Sequence, residues 1–170
     1  LFSDLVMRVA PFSPSVPLAS SNVLDRMSSW ALRLDNNLTT SYGPRTGLAP
    51  EEYERATPAR VTLTFVDARH TNDQWQHRWF FDDLYMVDVK MTSETLIPGT
   101  VTPYALRLYL PHCEVTNAQL TIAGPRLATD TVQLMATVPT VAAAGFPVMS
   151  QLAPYAIEVV SGESSHALVG

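Results

Sequence analysis

Hydrophobic and polar residues alternate with period two in six segments of this chain. In Trp30-Ala31-Leu32-Arg33-Leu34-Asp35, the residues Trp30, Leu32 and Leu34 share one face, while Arg33 and Asp35 point the other way. Val61-Thr62-Leu63-Thr64-Phe65 alternates without a break, with threonine on the wet face. Tyr85, Val87, Val89 and Met91 alternate with Met86, Asp88 and Lys90, and Tyr104, Leu106, Leu108 and Leu110 with Ala105, Arg107 and Tyr109. Val132, Leu134, Ala136 and Val138 stand against Thr131, Gln133, Met135 and Thr137; Tyr155, Ile157 and Val159 flank Ala156 and Glu158. Successive side chains of a strand point to opposite faces, so each segment predicts a half-buried antiparallel strand. Together they predict a mainly β fold, an antiparallel β-sandwich or strongly curved sheet.

One segment changes period. Thr71-Asn72-Asp73-Gln74 offers a hydroxyl with a glutamine three residues on, the pattern of a capping box. Trp75 and Trp79 then fall four apart, with Phe80 beside them and Asp82 and Asp83 ahead of the next strand. A flanking amphipathic helix over 72–83 is expected, with Trp75 and Trp79 anchoring it on the sheet.

Proline breaks the chain elsewhere. Pro11, Pro14 and Pro17 make Pro11 to Asn22 an extended arm, so residues 1–22 are expected to form an N-terminal arm or linker and residues 23–170 the β domain. Residues 39–60 hold Gly43-Pro44, Gly47, Pro50 and Pro58 among Arg45, Glu51, Glu52, Glu54, Arg55 and Arg60. About twenty residues is longer than an idle connection needs. Pro139 to Pro154 is rich in small residues and is a second candidate contact loop.

Composition narrows the function. The 170 residues bury a sizeable core without staples. Lys+Arg 11 against Asp+Glu 16 gives a net charge of −5, with no basic stripe of the kind that grips phosphates. Only 16 % of residues are charged while 46 % are hydrophobic, which suits a surface covered by copies of itself. No apolar run is long enough to span a bilayer, so membrane insertion is not expected. Leu1 is not a start methionine, and Leu1 to Ala10 carries Asp4 and Arg8. That is no signal peptide, and the chain is expected to be an ordered piece of something longer.

Candidate chemistry is sparse. His70, His77, His112 and His166 lack metal-ligand spacing. His112 and Cys113 are neighbours in a strand, so they point to opposite faces, and Cys113 reads as a buried structural thiol. Gly162-Glu163-Ser164-Ser165-His166 has a histidine where a nucleophile elbow needs glycine. Asp82 with Asp83, and Glu51 with Glu52, read as solvated acids. No glycine loop cradles phosphate. No enzyme, no cofactor and no metal site are expected.

The order of motifs carries a resemblance. Ser29-Trp30-Ala31-Leu32-Arg33-Leu34-Asp35-Asn36-Asn37-Leu38 is a strand ending in an Asp-Asn-Asn-Leu turn, followed by the long loop, Ala59-Arg60-Val61-Thr62-Leu63-Thr64-Phe65, and the short helix. Pro103-Tyr104-Ala105-Leu106-Arg107-Leu108-Tyr109-Leu110-Pro111 then leads through Cys113-Glu114-Val115 and Gly124-Pro125 to Thr131-Val132-Gln133-Leu134-Met135-Ala136. This order, over residues 25–140, resembles the tail tube proteins of long-tailed (siphovirus-like) bacteriophages. The resemblance implies a tail-tube-like β-sandwich whose domains form rings of six, stacked into a hollow tube in the virion tail and assembled in the host cytoplasm. It implies as partners further copies of the chain, a tape-measure protein, and tail terminator and baseplate proteins. Double-stranded DNA passes through without specific binding. It also makes Arg45, Glu51, Glu54 and Arg55 an inter-ring stacking loop. The alternatives are another ring-forming tail component (terminator or baseplate hub), a secretion-system tube protein, or a β-sandwich carbohydrate-binding module stacking sugars on Trp30, Tyr42, Trp75 or Trp79.

Overall fold

The computed structural model describes residues 2–24, 26–35, 38–41, 52–55, 60–68, 74–124, 127–146, 153–162 and 164–169. It is mainly β, with one short helix among the described residues. In chain order the elements are β1 (Phe2–Pro11), β2 (Met27–Asp35), β3 (Leu38–Ser41), β4 (Glu52–Arg55), β5 (Arg60–Ala68) and α1 (Gln74–Phe80). They continue as β6 (Leu84–Leu96), β7 (Pro103–Gly124), β8 (Leu127–Ala136), β9 (Ala156–Ser161) and β10 (Ser164–Val169). The main sheet runs β1-β6-β7-β8-β5-β2, with β9 on β7 and β10 on β9, and every pair is antiparallel.

The long strand β7 organises the curvature by changing partners halfway. Along one edge it pairs with β6, from Leu96↔Pro103 to Leu84↔Glu114. Along the other, Ala105 to Tyr109 pair with β9 and Cys113 to Gly124 with β8. Pro111 lies between those two partners. The step from Val87↔Leu110 to Tyr85↔Cys113 is a bulge in which Pro111 and His112 stand opposite Met86. A proline donates no ladder hydrogen bond, so a bulge at a change of partner is where a strand tolerates it.

The inner face closes over one core. Met7, Val61, Leu63, Phe65, Tyr85, Val87, Val89, Leu110, Val132 and Leu134 are buried there with Trp75 from α1. Phe65 and Trp75 meet edge to face with centroids 5.3 Å apart, and the Trp75 Nε1–H donates to Asp67 Oδ2 at 3.1 Å. Alternation explains this face, since each contributing strand presents every second residue to it.

Three expectations change. Phe2–Pro11 is a sheet strand, not part of an arm: Asp4 to Pro11 pair with Thr92 to Tyr85, and the extended arm is confined to residues 12–22. The 39–60 segment contains a two-stranded sheet, with Leu38↔Arg55 through Ser41↔Glu52, so part of it is a β-hairpin and not an irregular loop. The helix is seven residues long, and Trp79 on it is 41 % exposed, so it is no core anchor. Trp75 enters the core and Arg78 lies over the Tyr85 ring, whereas Trp79 stays outside. After the helix the chain turns at Asp82, where φ is 50°, and Asp83 N–H donates to the Arg78 carbonyl, leaving Trp79 at the rim against Phe80.

Candidate functional site

The outer face of β1, β6, β7 and β9 carries charge where the inner face carries methyl groups. The register sets Arg8 opposite Asp88, Asp88 opposite Tyr109, and Arg107 opposite Glu158. Diagonal neighbours on a twisted sheet are within reach of long side chains. Asp88 is 2 % exposed and takes three close contacts: Arg8 Nη2 to Oδ2 at 2.7 Å, Arg107 Nε to Oδ1 at 2.8 Å, and Arg107 Nη2 to Oδ2 at 2.9 Å. The Arg107 pair is bidentate, the geometry that best repays burying a carboxylate. Its hydrogen bonds with Asp88 raise the Arg107 pKa. The Arg107 guanidinium also lies 4.6 Å from the Tyr109 ring centroid, and Tyr109 donates its O–H to Glu158 Oε2 at 2.5 Å. Burial first, and that bond second, push the Tyr109 pKa up.

Two segments outside the sheet cover this row. Phe12 and Leu18 from the arm pack on a small cluster of Met86, Tyr109, Ala143, Phe146 and Ala156. Phe146 meets Tyr109 edge to face at 5.7 Å, and Phe12 meets His112 the same way at 5.0 Å. His112 shares a hydrogen bond between Nδ1 and Thr137 Oγ1 at 2.6 Å, and burial lowers its pKa. Next in sequence, Cys113 lies in the main core, where burial pushes the thiol pKa up. The two side chains therefore face opposite ways, as their adjacency in a strand predicts.

Two further surfaces are exposed, the β2 edge of the sheet and the end of α1. Among the described residues β2 pairs with β5 alone, and its burial pattern leaves Ala31, Arg33 and Leu34 exposed. At the helix end Phe80 is 80 % exposed and Phe81 67 %, next to Trp79. On the sheet side of α1, Arg78 lies 5.3 Å from the Trp75 centroid and 5.2 Å from that of Tyr85, whose hydroxyl burial pushes up to about 12.

The structure separates the residues singled out from sequence. Arg45 and Glu51 lie outside the described residues. Glu54 and Arg55 stand on β4 opposite Thr39 and Leu38, with their side chains outside the described set. Trp75 is in the core and Trp79 at the rim. Tyr42 and His70 lie outside the described residues; His77 is on α1 and His166 on β10. Gly162 sits in the β9–β10 turn, and Ser164 pairs with Ser161 as a strand residue. Among the described residues no three His, Cys, Asp or Glu side chains group as metal ligands, and no helix is long and apolar enough to cross a membrane. The Arg8–Asp88–Arg107–Glu158 row went unnoticed in the sequence. Its signal is a few charges scattered over the polar faces of four strands, which read as solvation until the register is known.

No family model and no curated protein matches the chain. Among solved structures it is similar to a chain of the "Cryo-EM structure of the anti-feeding prophage (AFP) baseplate, 6-fold symmetrised". The TM-score is 0.48 at 11 % identity, covering 79 % of this chain and 89 % of that one. A backbone likeness at this level assigns no role.

Proposed function

We propose that this chain is a structural, non-enzymatic protein of a bacteriophage tail, whose copies join into rings that stack as the hollow tail tube. The observation that carries the reading is β2, nine residues long and paired on one side only among the described residues. An open strand of that length is a template for another chain, and proteins that stay single blunt such edges. A head-to-tail contact whose rotation closes produces a ring, which covers the edge on every copy. Trp79, Phe80 and Phe81 supply apolar surface of the kind that contacts use. The motif order from residue 25 to 140 supports the tail tube among ring-forming assemblies, with the tape-measure, terminator and baseplate proteins as its further partners. DNA passes through, and the net charge of −5 suits passage without capture.

Sedimentation velocity of the wild type against a double variant, Ser29→Lys with Ala31→Lys, both exposed on the face opposite Trp30 and Leu32, tests the reading. Like charges on the edge repel an incoming copy while leaving the inner face intact. The wild type is expected to form large species as concentration rises, and the variant to remain a monomer with an unchanged circular dichroism spectrum. A wild type that stays monomeric throughout overturns the reading. The exposed Trp79 favours a second reading in that event, a glycan-stacking surface, which quenching of its fluorescence by added glycans would reveal.

A further inference from the structure

We infer that residues 12–18 and 143–146 form a latch whose two segments part from each other and lift from the outer face of β6, β7 and β9 while the inner core stays folded. The two sides of these strands are separate apolar clusters, and the outer one is small: Met86, Tyr109, Ala143, Phe146 and Ala156 under Phe12 and Leu18. Neither latch segment belongs to a strand.

The bonds divide into hinges and internal ties. Phe12 N–H donates to the Leu84 carbonyl at 2.7 Å where the arm leaves β1, and Leu24 N–H to the Met7 carbonyl at 2.9 Å where it returns. Between these hinges the arm largely satisfies itself. Val16 N–H donates to Ser13 Oγ and Ala19 N–H to Asn22 Oδ1, both at 2.9 Å. Those bonds travel with the arm, so lifting it orphans few donors.

The two segments are tied to each other. Ala144 N–H donates to the Ser13 carbonyl at 3.0 Å. Gly145 has φ +77°, and a Cβ placed there would lie 2.6 Å from Pro17 Cβ, so glycine alone allows this contact.

What lies beneath sets the balance. A half-open pocket of about 40 Å³ is lined by Arg8, Asp88, Arg107 and Tyr109 of the sheet and by Leu18, Gly145 and Phe146 above them. Lifting an apolar lid from an apolar face only loses burial. Lifting this one also returns water to the buried Asp88 carboxylate, whose desolvation opposes closure. The open form presents Met86, Tyr109 and Ala156 beside the row of Arg8, Asp88, Arg107 and Glu158.

Native-state hydrogen exchange on the whole chain, at several sub-denaturing urea concentrations, tests this. The Ala144 amide reports the latch, and the Val87 and Val89 amides report the sheet. Ala144 is expected to exchange about 100-fold faster than the sheet amides, with little dependence on urea, because local opening exposes little surface. Gly145→Ala is expected to speed Ala144 a further tenfold or so without moving Val87 or Val89. Exchange of Ala144 at the rate and urea slope of the sheet amides overturns the latch, and the wild type alone decides this even where the variant fails to fold. Equal acceleration of latch and sheet by Gly145→Ala overturns it as well.

Discussion

The two faces of strands β6 and β7 take alternate residue pairs of one register and solve burial in opposite ways. Inward, Val87, Val89, Leu108 and Leu110 meet other apolar side chains and need no particular partner. Outward, Met86, Asp88, Arg107 and Tyr109 are covered by segments from outside the sheet, and Asp88 depends on two arginines. The inner face is held by area and shape, and a neighbour of similar volume can replace a lost one. The outer face is held by specific pairs, so losing one partner strands a charge. An apolar face gives the fold its stability, whereas a paired-charge face leaves room for a cover that comes away.

Substitutions sharpen that contrast. Phe65→Ala removes a fully buried ring from the inner core and is expected to cost about 4 kcal/mol in urea unfolding. Asp88→Asn is expected to cost about 3 kcal/mol, because Arg8 and Arg107 keep their charge without the carboxylate. The triple variant Arg8→Met, Asp88→Leu, Arg107→Met should recover most of that loss, since a packed apolar trio needs no pairing. Failure of the triple to recover would contradict the view that stranded charge is the source of the cost.

The helix offers a smaller contrast. Trp75→Ala is expected to cost about 3 kcal/mol and Trp79→Ala under about 1 kcal/mol, since only Trp75 is buried. Equal losses would place both rings in the core. The smallest effect is a pH slope. Burial lowers the His112 pKa, so below its ordinary value of 6.5 the unfolded chain binds the proton more readily than the folded one. Stability from this group is therefore full above about pH 6.5, declines as pH falls, and levels off once the folded form is protonated. His112→Asn should flatten that part of the stability profile relative to the wild type, and an unchanged profile would remove His112 from the outer-face account.

Much of the inner face was legible in the sequence. The six alternating segments coincide with β2, β5, β6, the first half of β7, β8 and β9, because one-sided burial writes period two directly into the residues. Strand β1 carries the same alternation in Leu5, Met7 and Val9, yet the prolines from Pro11 onward draw the reading toward an arm. The second half of β7 was hidden by Pro111, which reads as a strand end unless a bulge and a change of partner are known to fall there. Trp75 and Trp79 share a helical face in sequence, but Trp79 is the last residue but one of the helix, at the rim, and the fold buries only Trp75. The outer-face row was not legible, since pairing between Arg8, Asp88, Arg107 and Glu158 is a property of register across four strands. The latch was hidden for the same reason, as Pro17 and Gly145 are distant in sequence and meet only in the fold.

The proposed assembly joins copies of the chain through surface that its own fold leaves open. Negative-stain electron microscopy of the purified protein over a range of concentrations tests it most directly. Hollow tubes with a regular axial repeat are the predicted result, and single rings would keep ring assembly while pointing to a terminator or hub. Dispersed single particles at every concentration would overturn self-assembly.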